Sequence, residues 1–282
     1  MPGRLLVFLL LLLLPGPAAW SEEVSPRFVL IIDDIGDNLE LGKAAVTLPG
    51  PLTYAVLPHS PFGKHLAELA NEQGKGVMLH APMANTQNFP LGPGGLYLTQ
   101  SQDELKDTLR AGLDSVPHAR GLNNHMGSLL TQNRRPMTWV MEVIQERNLF
   151  FVDSKTTALS VAGRVAREHQ VPFLIRDVFL DHEITEAFIH QQFELAIRVA
   201  QEKGSVVVIG HPYRETVDYL RSNLSRLDEL GIQQLTVSAM LHQEQVFERI
   251  IELEGLAGVR CRSASESECG PVAKVLLKDK KD

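Results

Sequence analysis

A chain of 282 residues, 44% of them apolar, is long enough for one large domain with a substantial core and too hydrophobic to be disordered. Its net charge of −7 argues against nucleic acid or an anionic membrane as the main partner. With only two cysteines, Cys261 and Cys269, both far from every motif below, thiol catalysis is also disfavoured.

The first residues read as a signal peptide over 1–20. Arg4 is followed by an apolar run from Leu5 to Leu14, then Pro15, Gly16 and Pro17, then the small residues Ala18 and Ala19. The run is roughly half of the ~20 residues a membrane span needs, and no later segment qualifies, so no stable span is expected. A periplasmic or secreted location follows, and in that oxidising setting Cys261 and Cys269 are expected to pair as a local disulfide. From Pro26 the chain repeats one cycle of apolar run, turn and helical pattern. Strands are predicted at Arg27–Asp33, Leu52–Leu57, Gly76–His80, Arg120–Asn124, Leu149–Asp153, Val171–Arg176 and Ser205–Gly210, with a possible eighth at Gln234–Ser238. Helices are predicted at Lys64–Gln73, Ser101–Leu113, Met137–Arg147, Val161–His169, Glu186–Lys203 and Tyr219–Leu230. Ser101 and Glu104 form a capping box for the second of these. Residues 85–95, rich in Pro, Gly and Asn, are expected to be a long loop. Alternating β and α units argue for a parallel sheet, either barrel or doubly wound. The first strand runs into Asp33-Asp34-Ile-Gly36 instead of a glycine-rich phosphate fingerprint, which counts against a dinucleotide fold. The domain is placed at 27–241, with 242–282 a charged, partly disordered extension.

In parallel α/β folds the working face lies at the C-terminal ends of the strands. Six predicted strand ends here carry ionisable groups: Asp33–Asp34, His80, His125 after Asn123 and Asn124, Asp153, Arg176–Asp177 and His211. Singly, each reads as a cap, a turn residue or a rim ion pair; together on one rim they read as a site. Two histidines and a carboxylate leave open positions on a divalent ion, so Asp34, His80 and His125 are the candidate ligands of Zn²⁺ or a similar metal. Adjacent strand residues face opposite sides. Asp33 and Asp34 are therefore expected to divide the work, one on the metal and one as base, unless the strand has already turned into a loop. His211 is the candidate general acid. Asp153 and Arg176 complete the candidate catalytic set. His59 is a candidate substrate contact in the loop after the second strand, with Asn124 and Ser128 near the fourth.

Ile-Ile-Asp33-Asp34-Ile-Gly36, Leu79-His80-Ala-Pro-Met83, Gly121-Leu-Asn-Asn-His125-Met-Gly-Ser128, Phe151-Val-Asp153-Ser154 and Ile209-Gly-His211-Pro212 together resemble the divergent polysaccharide deacetylase family. The resemblance implies a distorted seven-stranded (β/α) barrel with Asp33 as base, Asp34 as ligand and His211 as acid. Relatives in the wider superfamily carry two metal-binding histidines in the second motif. Here that motif offers only His80, and His125 looks like the replacement ligand. The implied protein is a metal-dependent hydrolase that removes N- or O-acetyl groups from a glycan of the cell envelope. The alternative is a non-catalytic envelope module that binds glycan or a partner protein. A glycosidase ranks lower, because Asp33 and Asp153 are the only evident carboxylate pair for that chemistry.

Overall fold

The computed structural model describes residues 25–246 and 249. The expected leader, most of the C-terminal extension and the Cys261–Cys269 pair lie outside the described residues. Nine strands occur among them: β1 Arg27–Ile35, β2 Thr53–Val56, β3 Gly76–Met83, β4 Gly121–Met126, β5 Phe150–Asp153, β6 Phe173–Ile175, β7 Val178–Phe179, β8 Ser205–Gly210 and β9 Gln233–Leu235. The helices are α1 Leu39–Val46, α2 Gly63–Glu72, α3 Gln102–Ser115, α4 Arg134–Glu146, α5 Ala162–Glu168, α6 Glu186–Lys203, α7 Arg214–Asn223 and α8 Ser225–Glu229.

Every strand pair is parallel, and the sheet runs β6-β5-β4-β3-β2-β1-β8-β7. The two ends of that path are consecutive in the chain, separated only by Arg176 and Asp177. Arg176 N donates to Asp153 O on one side, and Asp177 N donates to Val207 O on the other. One short segment, 173–179, therefore bonds β5 with its first half and β8 with its second, and the curled sheet closes into a barrel of seven staves. The predicted (β/α) barrel is present. The possible eighth strand is β9, which takes the edge of β1 at Arg27–Val29, while β2 holds Ile31–Ile35.

The side-chain alternation of the staves divides the core in two. Phe28, Leu30 and Ile32 of β1 pack outward against the helices, as do Leu79 of β3 and Val206 and Val208 of β8. Val29, Ile31, Met78, Val207 and Ile209 fill the barrel interior, which Leu235, Val237 and Met240 help to line. Helix ends follow local chemistry. Ser101 and Glu104 make the predicted capping box on α3, Thr185 caps α6, and Gly204 ends α6 in the left-handed region at φ 79°. Helix α1 was not among the sequence expectations. It spans 8 residues, contains Gly42, and is capped by Asn38, whose side chain accepts from Leu41 N.

Candidate metal centre and active site

The interior face of the barrel decides which side chains meet. Counting on from Val29 and Ile31 places Asp33 inside; counting on from Met78 places His80 inside; counting on from Val207 and Ile209 places His211 inside. Regular alternation would turn Asp34 outward. Instead, the β1–β2 register shifts between Ile32 and Ile35, and Asp34 takes the left-handed conformation at φ 55°. Such an irregularity inserts one residue and re-aims its side chain. Ile35 then rejoins the outward core behind Ile32. Both neighbouring carboxylates consequently reach the same imidazole: His80 Nε2 lies 3.6 Å from Asp33 Oδ2 and 3.1 Å from Asp34 Oδ1.

His125 Nδ1 lies 2.9 Å from Asp34 Oδ1 and 3.1 Å from His80 Nε2. One donor atom from each of Asp34, His80 and His125 falls within 4.8 Å of the others. Asp34 Oδ1 is buried and satisfied by no well-formed hydrogen bond, despite two imidazole nitrogens beside it. An orphaned carboxylate oxygen converging with two imidazole nitrogens suits a divalent cation better than a hydrogen-bond network. The local field agrees. Burial opposes charge on His80, but Asp33 and Asp34 outweigh it and push the imidazole up to about 9. Burial would likewise raise the Asp34 carboxyl, but its contacts with His125 and His80 hold it well below the usual carboxylate range. A point that retains a proton this firmly also favours a cation.

Asp33 and His211 flank that point. Burial pushes the Asp33 carboxyl above its ordinary value, against the pull of His80, His211 and Asn123. His211 Nε2 stands 3.9 Å from Asp34 Oδ2, and its Nδ1 meets Asp181 Oδ1 at 2.9 Å. Burial disfavours charge on His211, yet the Asp181 bond, with Asp33 and Asp34 nearby, raises it above the ordinary histidine value. A cleft of about 490 Å³ opens over Asp34, His125 and His211, with His59, Pro93 and Tyr213 among its walls.

The remaining predicted residues fall elsewhere. Asp153 sits on the outward parity of β5. Its two oxygens accept from Lys155 N and Ser160 Oγ and so brace the loop after β5. Arg176 donates to the carbonyls of Ser154 and Lys155 and lies 4.6 Å over the Phe179 ring, which stacks on His211. Asn124 is buried; its amide donates to Met126 O and accepts from Ser154 N. Ser128 Oγ accepts from Thr86 N, tying the β3–α3 loop to the end of β4. His59 lines the cleft, held at φ 55°.

Two functional residues were missed at the sequence level. Asn123 Oδ1 faces His80 Nδ1 at 2.7 Å, and its Nδ2 donates to Asp33 Oδ1 at 2.8 Å. Asp181, almost wholly buried, accepts from His211 N, His211 Nδ1 and Thr216 Oγ1. Parity would have found Asn123, since it shares the interior face of β4 with His125. Nothing in the sequence marked Asp181, because the two-residue β7 before it gives no periodic signal.

The sequence model of the divergent polysaccharide deacetylases matches residues 30–241. An uncharacterized protein of Haemophilus influenzae is 34% identical over 220 residues, covering 78% of each chain. The uncharacterized protein YibQ of Escherichia coli is 35% identical over 243 residues, 86% of this chain and 74% of that one. The crystal structure of the uncharacterized protein ATU2773 from Agrobacterium tumefaciens superposes with a TM-score of 0.74 at 22% identity, over 78% of this chain and 91% of that one, which shows a shared fold. The family match spans all five motifs and the residues that converge at the head of the barrel, so the chain belongs to the divergent polysaccharide deacetylase family.

Proposed function

We propose that this chain is an exported, metal-dependent hydrolase that removes acetyl groups from a glycan of the cell envelope. The observation that carries the reading is the convergence of Asp34 Oδ1, His80 Nε2 and His125 Nδ1 at one point, between an interior carboxyl and an anchored histidine. Asp34, His80 and His125 would hold the ion, and a His₂–carboxylate set points to Zn²⁺. When bound, such an ion polarises a carbonyl and acidifies a water molecule. Asp33, shielded from solvent and with its carboxyl raised by burial, accepts the proton of the attacking water. His211 is oriented by Asp181: Nδ1–H donates to the carboxylate, which leaves Nε2 facing Asp34 and the cleft. Its raised affinity for a proton keeps Nε2–H available near neutral pH, to be given to the departing amine or alkoxide. Water and the acetylated sugar thus become acetate and a free amine or hydroxyl. The cleft has room for a sugar ring beside these groups, and its His59 and Tyr213 side chains supply polar contacts.

Export rests on Arg4, the Leu5–Leu14 run and Ala18–Ala19, and implies action in the periplasm or outside the cell. Among the described residues, no helix is long and apolar enough to cross a membrane.

Metal analysis of the purified protein, paired with acetate release from peptidoglycan and chitin fragments, tests the proposal. One bound ion and released acetate are expected, with both lost in His80→Ala and in His125→Ala. A metal-free protein that releases no acetate would leave a glycan- or protein-binding module in its place.

A further inference from the structure

Asn123 lies on the interior face of β4, wholly buried, directly across the β3–β4 pair from His80. Its amide makes two bonds at once, Nδ2 to Asp33 Oδ1 at 2.8 Å and Oδ1 to His80 Nδ1 at 2.7 Å. An ionised carboxylate can only accept, so the NH₂ end of the amide must face Asp33. That leaves the carbonyl end facing His80, and a carbonyl also can only accept. His80 Nδ1 therefore carries a hydrogen, and the nitrogen left to offer a lone pair is Nε2. Nε2 is the atom beside Asp34 Oδ1 and His125 Nδ1. We propose that Asn123 is the positioning residue of this centre, converting the orientation of Asp33 into the metal-ready tautomer of His80 while holding Asp33 in place. The inference rests on reading Asp34, His80 and His125 as ligands.

An amide can serve both partners, whereas the carboxylate, methyl and isobutyl side chains tested below serve one or neither. Asn123→Asp keeps an acceptor for His80 Nδ1–H but loses the donor to Asp33. Asn123→Ala loses both, and Asn123→Leu loses both while filling the space. Zinc affinity of the purified protein, by competition with a chromogenic chelator, is expected to fall about 10–100-fold in Asn123→Ala and Asn123→Leu, the range for lost partners of a metal-bound histidine. Asn123→Asp is expected to stay within about tenfold of the parent. Wild-type affinity in Asn123→Leu would overturn the proposal, as would an Asn123→Asp protein that is folded by circular dichroism but as weak as Asn123→Leu.

A spectroscopic arm needs neither activity nor a folded Asn123 variant. In ¹⁵N spectra of the zinc-loaded protein, His80 should show a bonded Nδ1 proton, and the Asn123 side-chain amide should shift in Asp33→Ala. A His80 bound through Nδ1, or an Asn123 amide indifferent to Asp33→Ala, would overturn the proposal. A parent protein that takes up no zinc would sink the ligand reading instead; the Asn123 amide signal would still decide the bond to Asp33.

Discussion

At the scale of single residues, proton affinity follows from who stands beside whom. Burial disfavours charge on His211, and Asp181, with Asp33 and Asp34 beside it, outweighs that cost, Asp181 contributing most of the rise. Asp181→Asn removes that charge, so the His211 value should drop. A general acid works only while protonated, so the alkaline limb of the pH–rate profile should move to lower pH. The rate of acetate release should fall on the order of 10²–10⁴-fold, the worth of a positioned proton-transfer group. An unmoved alkaline limb would mean that His211 is not the acid. Asp33→Asn keeps an acceptor oxygen for Asn123 Nδ2, so it should cost a similar factor at every pH while zinc uptake persists, checked by metal analysis alongside the kinetics. Intact turnover in that variant would remove Asp33 from the base role.

At the scale of elements, the site depends on how β1 ends. Asp34 sits at φ 55° and Gly36 at φ 136°, a region closed to ordinary side chains. A Cβ on Gly36 would also collide with Ser60, whose hydroxyl donates to Leu57 O in the loop after β2. Gly36→Ala should therefore destabilise the fold by about 1–3 kcal/mol, read by chemical denaturation. It should also weaken zinc binding, because the same turn aims Asp34. What the sequence disclosed at this level has a clear physical limit. Long, apolar β1, β3 and β8 were legible from their buried runs, and each delivered its polar residue to the expected rim. The irregularity after Ile32 was not legible, because nothing in Ile-Asp-Asp-Ile marks where the ladder slips. Hence strand alternation set Asp33 and Asp34 on opposite sides, while the structure brings both to His80. Helix α1 escaped for a related reason: at 8 residues with an internal glycine, it has too few turns to show a period.

At the scale of the whole molecule, βα alternation made a parallel sheet legible but left barrel and doubly wound forms open, and motif order, through the family resemblance, pointed to the barrel; both are global patterns that survive local errors. The closure was not legible, since it hangs on segment 173–179, which the sequence showed as a strand only as far as Arg176 but which serves both sheet edges. That seam has only five paired residues, three to β5 and two to β8, against six between β1 and β8. Amides of Arg176, Asp177 and Leu180 should thus exchange with deuterium faster than those of Val206–Ile209. Equal protection would show that the barrel opens only by global unfolding. A ligand that binds only the folded chain adds to its stability, by about 2.7 kcal/mol at a hundredfold excess over the dissociation constant. For a domain of this size, zinc should then raise the melting temperature by roughly 5–10 °C. His80→Ala should abolish that rise, and a rise that persisted would place the ion elsewhere.

The slip after Ile32 also states a rule of construction. A regular strand can offer one side chain to a given point for every two residues it spends. By spending a single extra residue, β1 offers two in succession, Asp33 and Asp34, the proposed base and the proposed ligand. The other staves need then supply only a group or two each, and the proposed catalytic set fits within the mouth of a barrel whose remaining interior is mostly hydrocarbon.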